Sequence, residues 1–282
     1  MMRFAMLTAL CVAAGLTLAR PALADDATAP AATLIGNAAA LAQKLAKTQY
    51  VHETSMLGAV IRPYGEGRLD IDADCSGWVS HNLERLPLHY EAVRAYQPQV
   101  AGEAGRPYPR ATVYRQYFAN LPAGAPFQAV KTLAAVQPGD ILSWCLPGHC
   151  GAPYSGKPAD DTGHVMVVMS KPIPNVPGSA FLMVLDASSV THYGFATLPP
   201  AVRAAHPELQ TLYANYPTVR EQSELVDGKT RTVTNGVGPG FILFGTNPDG
   251  SVGSFQFGPG DSVNSENIRF AVGRPLPTPL VR

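Results

Sequence analysis

The run Asp74-Cys75-Ser76-Gly77-Trp78-Val79, answered far downstream by Gly163-His164-Val165-Met166-Val167-Val168, decides how this chain is read. Trp78, Val79 and Leu83, with Leu86 just beyond, recur at the spacing of a short helix with one buried face. The pattern predicts a helix over 77–85 that starts beside Cys75. Asp74 or Ser76 is placed to cap it, which leaves backbone N–H groups aimed at the sulfur. A free thiol has a pKa of about 8.5, and a helix N-terminus or a nearby cation raises its thiolate fraction at neutral pH. His164 opens a β-branched, apolar run that reads as a strand, so a thiol nucleophile and an imidazole base are both present. The competing reading of Cys75 is a buried, inert thiol, a common state of unpaired cysteine.

A base of this kind needs a third polar group to fix its tautomer and stabilise its imidazolium. Asp186, in Leu185-Asp186-Ala187-Ser188, follows the apolar run 181–185 and lies beside His164 if the two strands are neighbours. His192 is its rival for that position, whereas Asp160 and Asp161 precede His164 and sit on the wrong end of the turn. His52, His81, His89, His149 and His206 show no paired spacing, so no metal centre is expected from them.

Ahead of this core, Met1-Met2-Arg3, an apolar stretch over 4–18 and Ala22-Leu23-Ala24 read as a secretory signal peptide (1–24) cleaved after Ala24. The competing reading is a membrane anchor, but the apolar run falls short of the roughly 20 residues a span needs, and no later segment is long and apolar enough. Export implies a periplasmic or extracellular setting in which paired cysteines become disulfides. Cys11 lies in the apolar stretch and is expected to leave with the signal peptide; of the three cysteines that remain, Cys145 and Cys150 flank the turn-rich link Leu146-Pro147-Gly148-His149 and are expected to pair, leaving Cys75 as the free thiol. The alternative, a metal bound by Cys145, His149 and Cys150, lacks an evident fourth ligand. With 21 basic and 21 acidic side chains, no charge excess points to nucleic acid.

The rest of the chain reads as one α+β domain, 25–282, with N-terminal helices packed on an antiparallel β-sheet. Helices are expected over 32–47, 90–96 and 111–119, and strands over 140–144, 165–170 and 181–185. Further strands are expected over 241–245, 254–257 and 268–272, then a proline-containing tail from Arg274. The stretch 199–216 looks helical and 217–237 turn-rich, together an insertion at about 199–237. Gly236, Gly238 and Gly240 superficially suggest a nucleotide loop, but they precede a strand and lack a Lys-Ser/Thr pair. They read as a turn, and no cofactor is expected.

Taken in order, these segments resemble the NlpC-like cysteine peptidases, a papain-like superfamily of mostly cell-wall enzymes, in its unpermuted branch. Tyr64-Gly65-Glu66-Gly67 is similar to the turn before the nucleophile, and Asp74-Cys75-Ser76-Gly77-Trp78-Val79 to the nucleophile motif. Pro109-Arg110-Ala111 with Gln116, Pro138-Gly139-Asp140-Ile141-Leu142 and Gly163-His164-Val165 resemble the segments that follow, over roughly residues 50 to 190. The family more often has histidine, asparagine or glutamine where this chain has Asp186, and the insertion has no counterpart.

The resemblance implies a papain-like NlpC-type domain with a catalytic Cys75, His164 and Asp186. It also implies that Tyr64, Asp74 and Ser76 shape the pocket reading the substrate's amine end, and that the Cys75 N–H contributes to an oxyanion hole. The implied activity is hydrolysis of amide bonds in peptidoglycan stem peptides or other small peptides. A catalytically inactive periplasmic binding protein of the same fold and a thioester-forming acyltransferase are the alternatives.

Overall fold

The computed structural model describes residues 29–52, 58–146, 150, 162–217, 219–226, 229–265 and 268–277. The expected signal peptide and its cleavage site, and His149, lie outside them. In chain order the elements are α1 (Ala29–Ala42), β1 (Leu45–Tyr50), β2 (Ala59–Gly65), β3 (Arg68–Ala73), α2 (Cys75–Leu83), α3 (Pro87–Tyr96), α4 (Ala111–Ala119), β4 (Phe127–Val130) and β5 (Ile141–Cys145). There follow β6 (Gly163–Val168), β7 (Ile173–Pro174), β8 (Ser179–Ser188), α5 (Pro200–Ala205), α6 (Glu208–Ala214), β9 (Glu221–Val226), β10 (Lys229–Thr234), β11 (Gly236–Thr246), β12 (Val252–Gln256) and β13 (Arg269–Pro275). The class is α+β, and no helix of the described residues is long and apolar enough to cross a membrane.

The main sheet runs β12-β11-β8-β6-β5-β13-β4, all antiparallel, with β7 added on β8. Its central strands are apolar on both faces because both faces are covered. Val165, Val167, Met183 and Leu185 point to the helices and pack with Trp78, Val79 and Tyr114. Their neighbours Met166, Val168, Leu182 and Val184 point the other way and pack with Trp144, Phe244 and Phe255. Trp144 on β5 stacks on Phe255 of β12 with ring centroids 4.2 Å apart, although three strands separate β5 from β12 in the sheet. The sheet is therefore curled, with this second cluster inside the curl and the helices outside.

Four expectations need correction. The stretch 217–237, expected to be turn-rich, holds the antiparallel pair β9 and β10. The first helix ends at Ala42, not Lys47, because Leu45 is buried in a strand that pairs in parallel with β3, and pairing outweighs local helix preference. The glycines 236, 238 and 240 are not a turn but the first half of β11, paired with β8 from Gly236 opposite Ser188 onward.

The first two residues of the tail expected from Arg274 instead belong to β13, where Arg274 pairs with Gln128 of β4. Its guanidinium donates from Nε to Asp140 Oδ1 at 2.8 Å and from Nη2 to Oδ2 at 2.9 Å. Asp140 is fully buried at the entry to β5, so Arg274→Ala leaves a buried carboxylate short of its cation. The expected loss is about 2–3 kcal/mol, read from the urea midpoint; an unchanged midpoint refutes this role.

Candidate active site

Three segments meet where α2 abuts the end of the sheet. The first is the start of α2. Asp74 has extended φ/ψ of −91° and 176° and accepts the Gly77 N–H at 2.6 Å, so it is the N-cap. Cys75 is the first helical residue, in the turn whose N–H groups have no partner within the helix. Gly77 is required by packing, since a Cβ there would lie 1.8 Å from the carbonyl oxygen of Gly58, itself at φ +74°. That close approach seats the first turn of α2 under the chain leading into β2.

The second segment is the start of β6, which presents His164, and the third is the end of β8, which presents Asp186. His164 Nε2 lies 2.6 Å from Asp186 Oδ2, and the ring is also within hydrogen-bonding reach of the Cys75 side chain. With Nε2 engaged by the carboxylate, Nδ1 is the nitrogen left for the sulfur. Trp144 and Phe257 flank the imidazole with ring centroids at 5.2 and 5.5 Å. The structure thus brings Cys75, His164 and Asp186 together, and Cys75 is the one free cysteine among the described residues.

Burial opposes a charge on His164, but its interactions with the Cys75 side chain and the Asp186 carboxylate outweigh it and hold the imidazole up at about 10. Burial would likewise raise Asp186, yet His192, Arg220 and the hydrogen bond from His164 hold its carboxyl well below the usual carboxylate range. His192 is pushed down by burial and by Arg220 despite the pull of Asp186. Its Nε2 lies 2.9 Å from Asp186 Oδ2 and its Nδ1 3.0 Å from the Val190 carbonyl. A neutral ring has one N–H to give, and the carboxylate is the stronger acceptor.

His192 therefore stands behind Asp186, not in its place: it meets the carboxylate and stacks on Phe257 at 5.1 Å. The atoms of His164, Asp186 and His192 lie close enough together to suggest a metal cradle. Tetrahedral zinc ligands sit about 3.3 Å apart, however, whereas these contacts are at hydrogen-bond distance, and a guanidinium already occupies the carboxylate. The cluster is a hydrogen-bonded set.

Of the residues expected to read a substrate amine, Ser76 stays beside the thiol, its Oγ 3.7 Å from Cys75 Sγ. Asp74 is nine-tenths buried, with Oδ1 on the Gly77 N–H and Oδ2 accepting from Tyr108 at 2.8 Å, so it holds the helix start and the 97–110 loop together. Tyr64 does not belong to the site. It lies toward the turn of the β2–β3 hairpin, five residues along β2 from Ala59, which pairs with Ala73 beside the nucleophile. At about 3.3 Å per residue that is about 16 Å away, and the ring is exposed.

The residue that sequence reading missed is Arg220, which donates to Asp186 Oδ1 at 2.7 Å. It comes from the stretch read as an insertion, which is not peripheral: Val202, Leu209, Leu212 and Tyr216 join the helix-side core. The glycine alternation was the available signal, since glycine inside a strand marks a close approach. Gly238 pairs directly with Asp186 across β8 and β11. A Cβ on Gly238 would meet Arg220 at 3.2 Å, and one on Gly240 would meet His192 at 2.4 Å.

Cys145 and Cys150 form a disulfide with Cα atoms 5.3 Å apart. No protein-family model, curated protein or solved structure matches the chain.

Proposed function

We propose that this chain is a secreted cysteine hydrolase of the NlpC-like, papain-like type that cleaves amide bonds, with peptidoglycan stem peptides as its substrate class. The observation that carries the reading is the line from Cys75 at a helix start, through His164, to the buried carboxylate of Asp186. The resemblance of the nucleophile and histidine segments supports the family, and the Cys145–Cys150 disulfide fits an oxidising compartment.

In this mechanism His164 takes the thiol proton on Nδ1, and the sulfur adds to the amide carbonyl carbon. The carbonyl electrons move to oxygen, where the Cys75 N–H is the candidate donor. The intermediate collapses, the C–N bond breaks, and the imidazolium protonates the departing amine. Water, deprotonated by His164, then cleaves the thioester and restores the thiol. Asp186 remains ionised and keeps Nε2–H in place. In an acyltransferase an amine or other acceptor replaces that water, and product analysis distinguishes the two.

The test is the rate of Cys75 alkylation by iodoacetamide at about pH 6, where an ordinary thiol is almost wholly protonated. The expected rate exceeds that of free cysteine by about tenfold or more, and His164→Ala removes the excess. In that variant the rate climbs with pH as an ordinary thiol does. A thiol as slow as free cysteine at pH 6, and indifferent to His164→Ala, leaves the inert-thiol reading and with it a binding protein.

A further inference from the structure

Both oxygens of Asp186 are allotted. Oδ2 receives His164 and His192, while Oδ1 receives Arg220 Nη1. Arg220 is itself nine-tenths buried and fixed at both ends. Its guanidinium also reaches the carbonyls of Gly238 and Pro239 at 3.3 and 3.2 Å, and its own carbonyl accepts the Asn235 N–H at 3.0 Å. Gly238 and Gly240 leave the shallow trough in which the side chain lies.

We propose that Arg220 is a positioning residue for the thiol chemistry, fixing Asp186 through Oδ1 so that Oδ2 stays ionised and aimed at His164 Nε2. The chain just before β9, which carries Arg220, is then part of the active site. This inference rests on the hydrolase reading above.

The physical argument is one of charge and direction. A carboxylate with no solvent exposure, met by imidazoles alone, keeps its charge only as far as those rings are protonated. Arg220 supplies a guanidinium cation directly on Oδ1. Its second and third contacts, to the strand β11 backbone, stop the guanidinium from swinging and the carboxylate from rotating with it. The charged and titratable groups in question come from every side: His164 from β6, His192 from the chain after β8, and Arg220 from the chain before β9 face Asp186, and Cys75 from α2 faces His164. Loss of Arg220 favours protonation of Asp186, weakens the imidazolium of His164, and so makes Cys75 less reactive at acid pH.

Arg220→Gln and Arg220→Lys test this, with folding checked by circular dichroism and thermal melting, and Cys75 alkylation by iodoacetamide followed from pH 5 to 9. Arg220→Gln is expected to slow alkylation at pH 6 by about tenfold and to move the acid limb of the profile upward by about one pH unit. Arg220→Lys keeps the charge but has one ammonium where a fork spanned carboxylate and carbonyls, so it recovers part of the rate and stays about threefold below wild type. A folded Arg220→Gln with the wild-type profile overturns the proposal. If that variant does not fold, a folded Arg220→Lys with an unchanged profile overturns it instead. A wild-type thiol that is itself slow at pH 6 overturns the hydrolase reading and this inference together, whereas a fast wild type with unaffected variants removes the role of Arg220 alone.

Discussion

Cys75→Ala is expected to remove amide hydrolysis, lowering kcat/KM on muropeptides by about 1,000-fold or more, with the fold intact. The substitution deletes one sulfur from a side chain that packs against the helix-side core, so the stability cost stays near 1 kcal/mol. The neighbouring hydroxyl of Ser76 is no substitute for the thiol. Ser76 Oγ is 3.7 Å from the sulfur, but its hydroxyl has no imidazole bonded to it. The measurement is release of new amine groups from purified muropeptides, followed by mass spectrometry of the fragments, alongside a thermal melt. Hydrolysis that survives at wild-type rates in the folded variant would falsify the assignment of Cys75 as nucleophile.

The second large effect is expected from Asp186→Ala, and it falls on stability as well as activity. Removing the carboxylate leaves the Arg220 guanidinium and two imidazoles buried without their shared acceptor. A buried ion pair broken on one side costs about 3–5 kcal/mol, a loss that urea unfolding at pH 7 reads directly. Asp186→Asn keeps a carbonyl oxygen for His164 and is expected to cost less.

The pH dependence has a definite sign. The folded-state pKa of Asp186 is depressed, so its contribution is present above the unfolded value of about 3.9 and is lost as pH falls through the folded value. Wild type therefore loses stability on acidification below about pH 4, and Asp186→Ala shows a shallower decline there because it has less to lose. Equal slopes in the two proteins sink the claim that this carboxylate is held ionised by its neighbours.

Several elements were legible because their causes are local. The helix expected over 111–119 is α4 with the same bounds, and the start of α2 follows from Asp74 as a cap and from apolar spacing. The strands carrying His164 and the apolar run before Asp186 were legible from continuous β-branched and apolar residues between turn residues. Tyr64 was legible only as part of a turn: the turn exists, at Gly65, Glu66 and Gly67 with positive φ, but the hairpin carries the ring away from the nucleophile. Leu45 and Lys47 read as helix because alanine and leucine dominate the preceding residues, and only pairing with β3 makes them strand.

The sequence by itself determined which reactive groups the chain offers: a thiol left over from a cysteine pair, at a helix start, with an imidazole opening a strand and a carboxylate closing another. Those are properties of short windows, where capping, periodicity and turn residues act on neighbours. Only the tertiary structure decided what surrounds the carboxylate. Arg220 and His192 reach Asp186 because β11 lies beside β8 with Gly238 opposite Asp186, a contact 34 residues long in sequence for the arginine. No local preference encodes such a contact, since it depends on strand register and on the absence of side chains at Gly238 and Gly240, which shows as function only once the strands are paired.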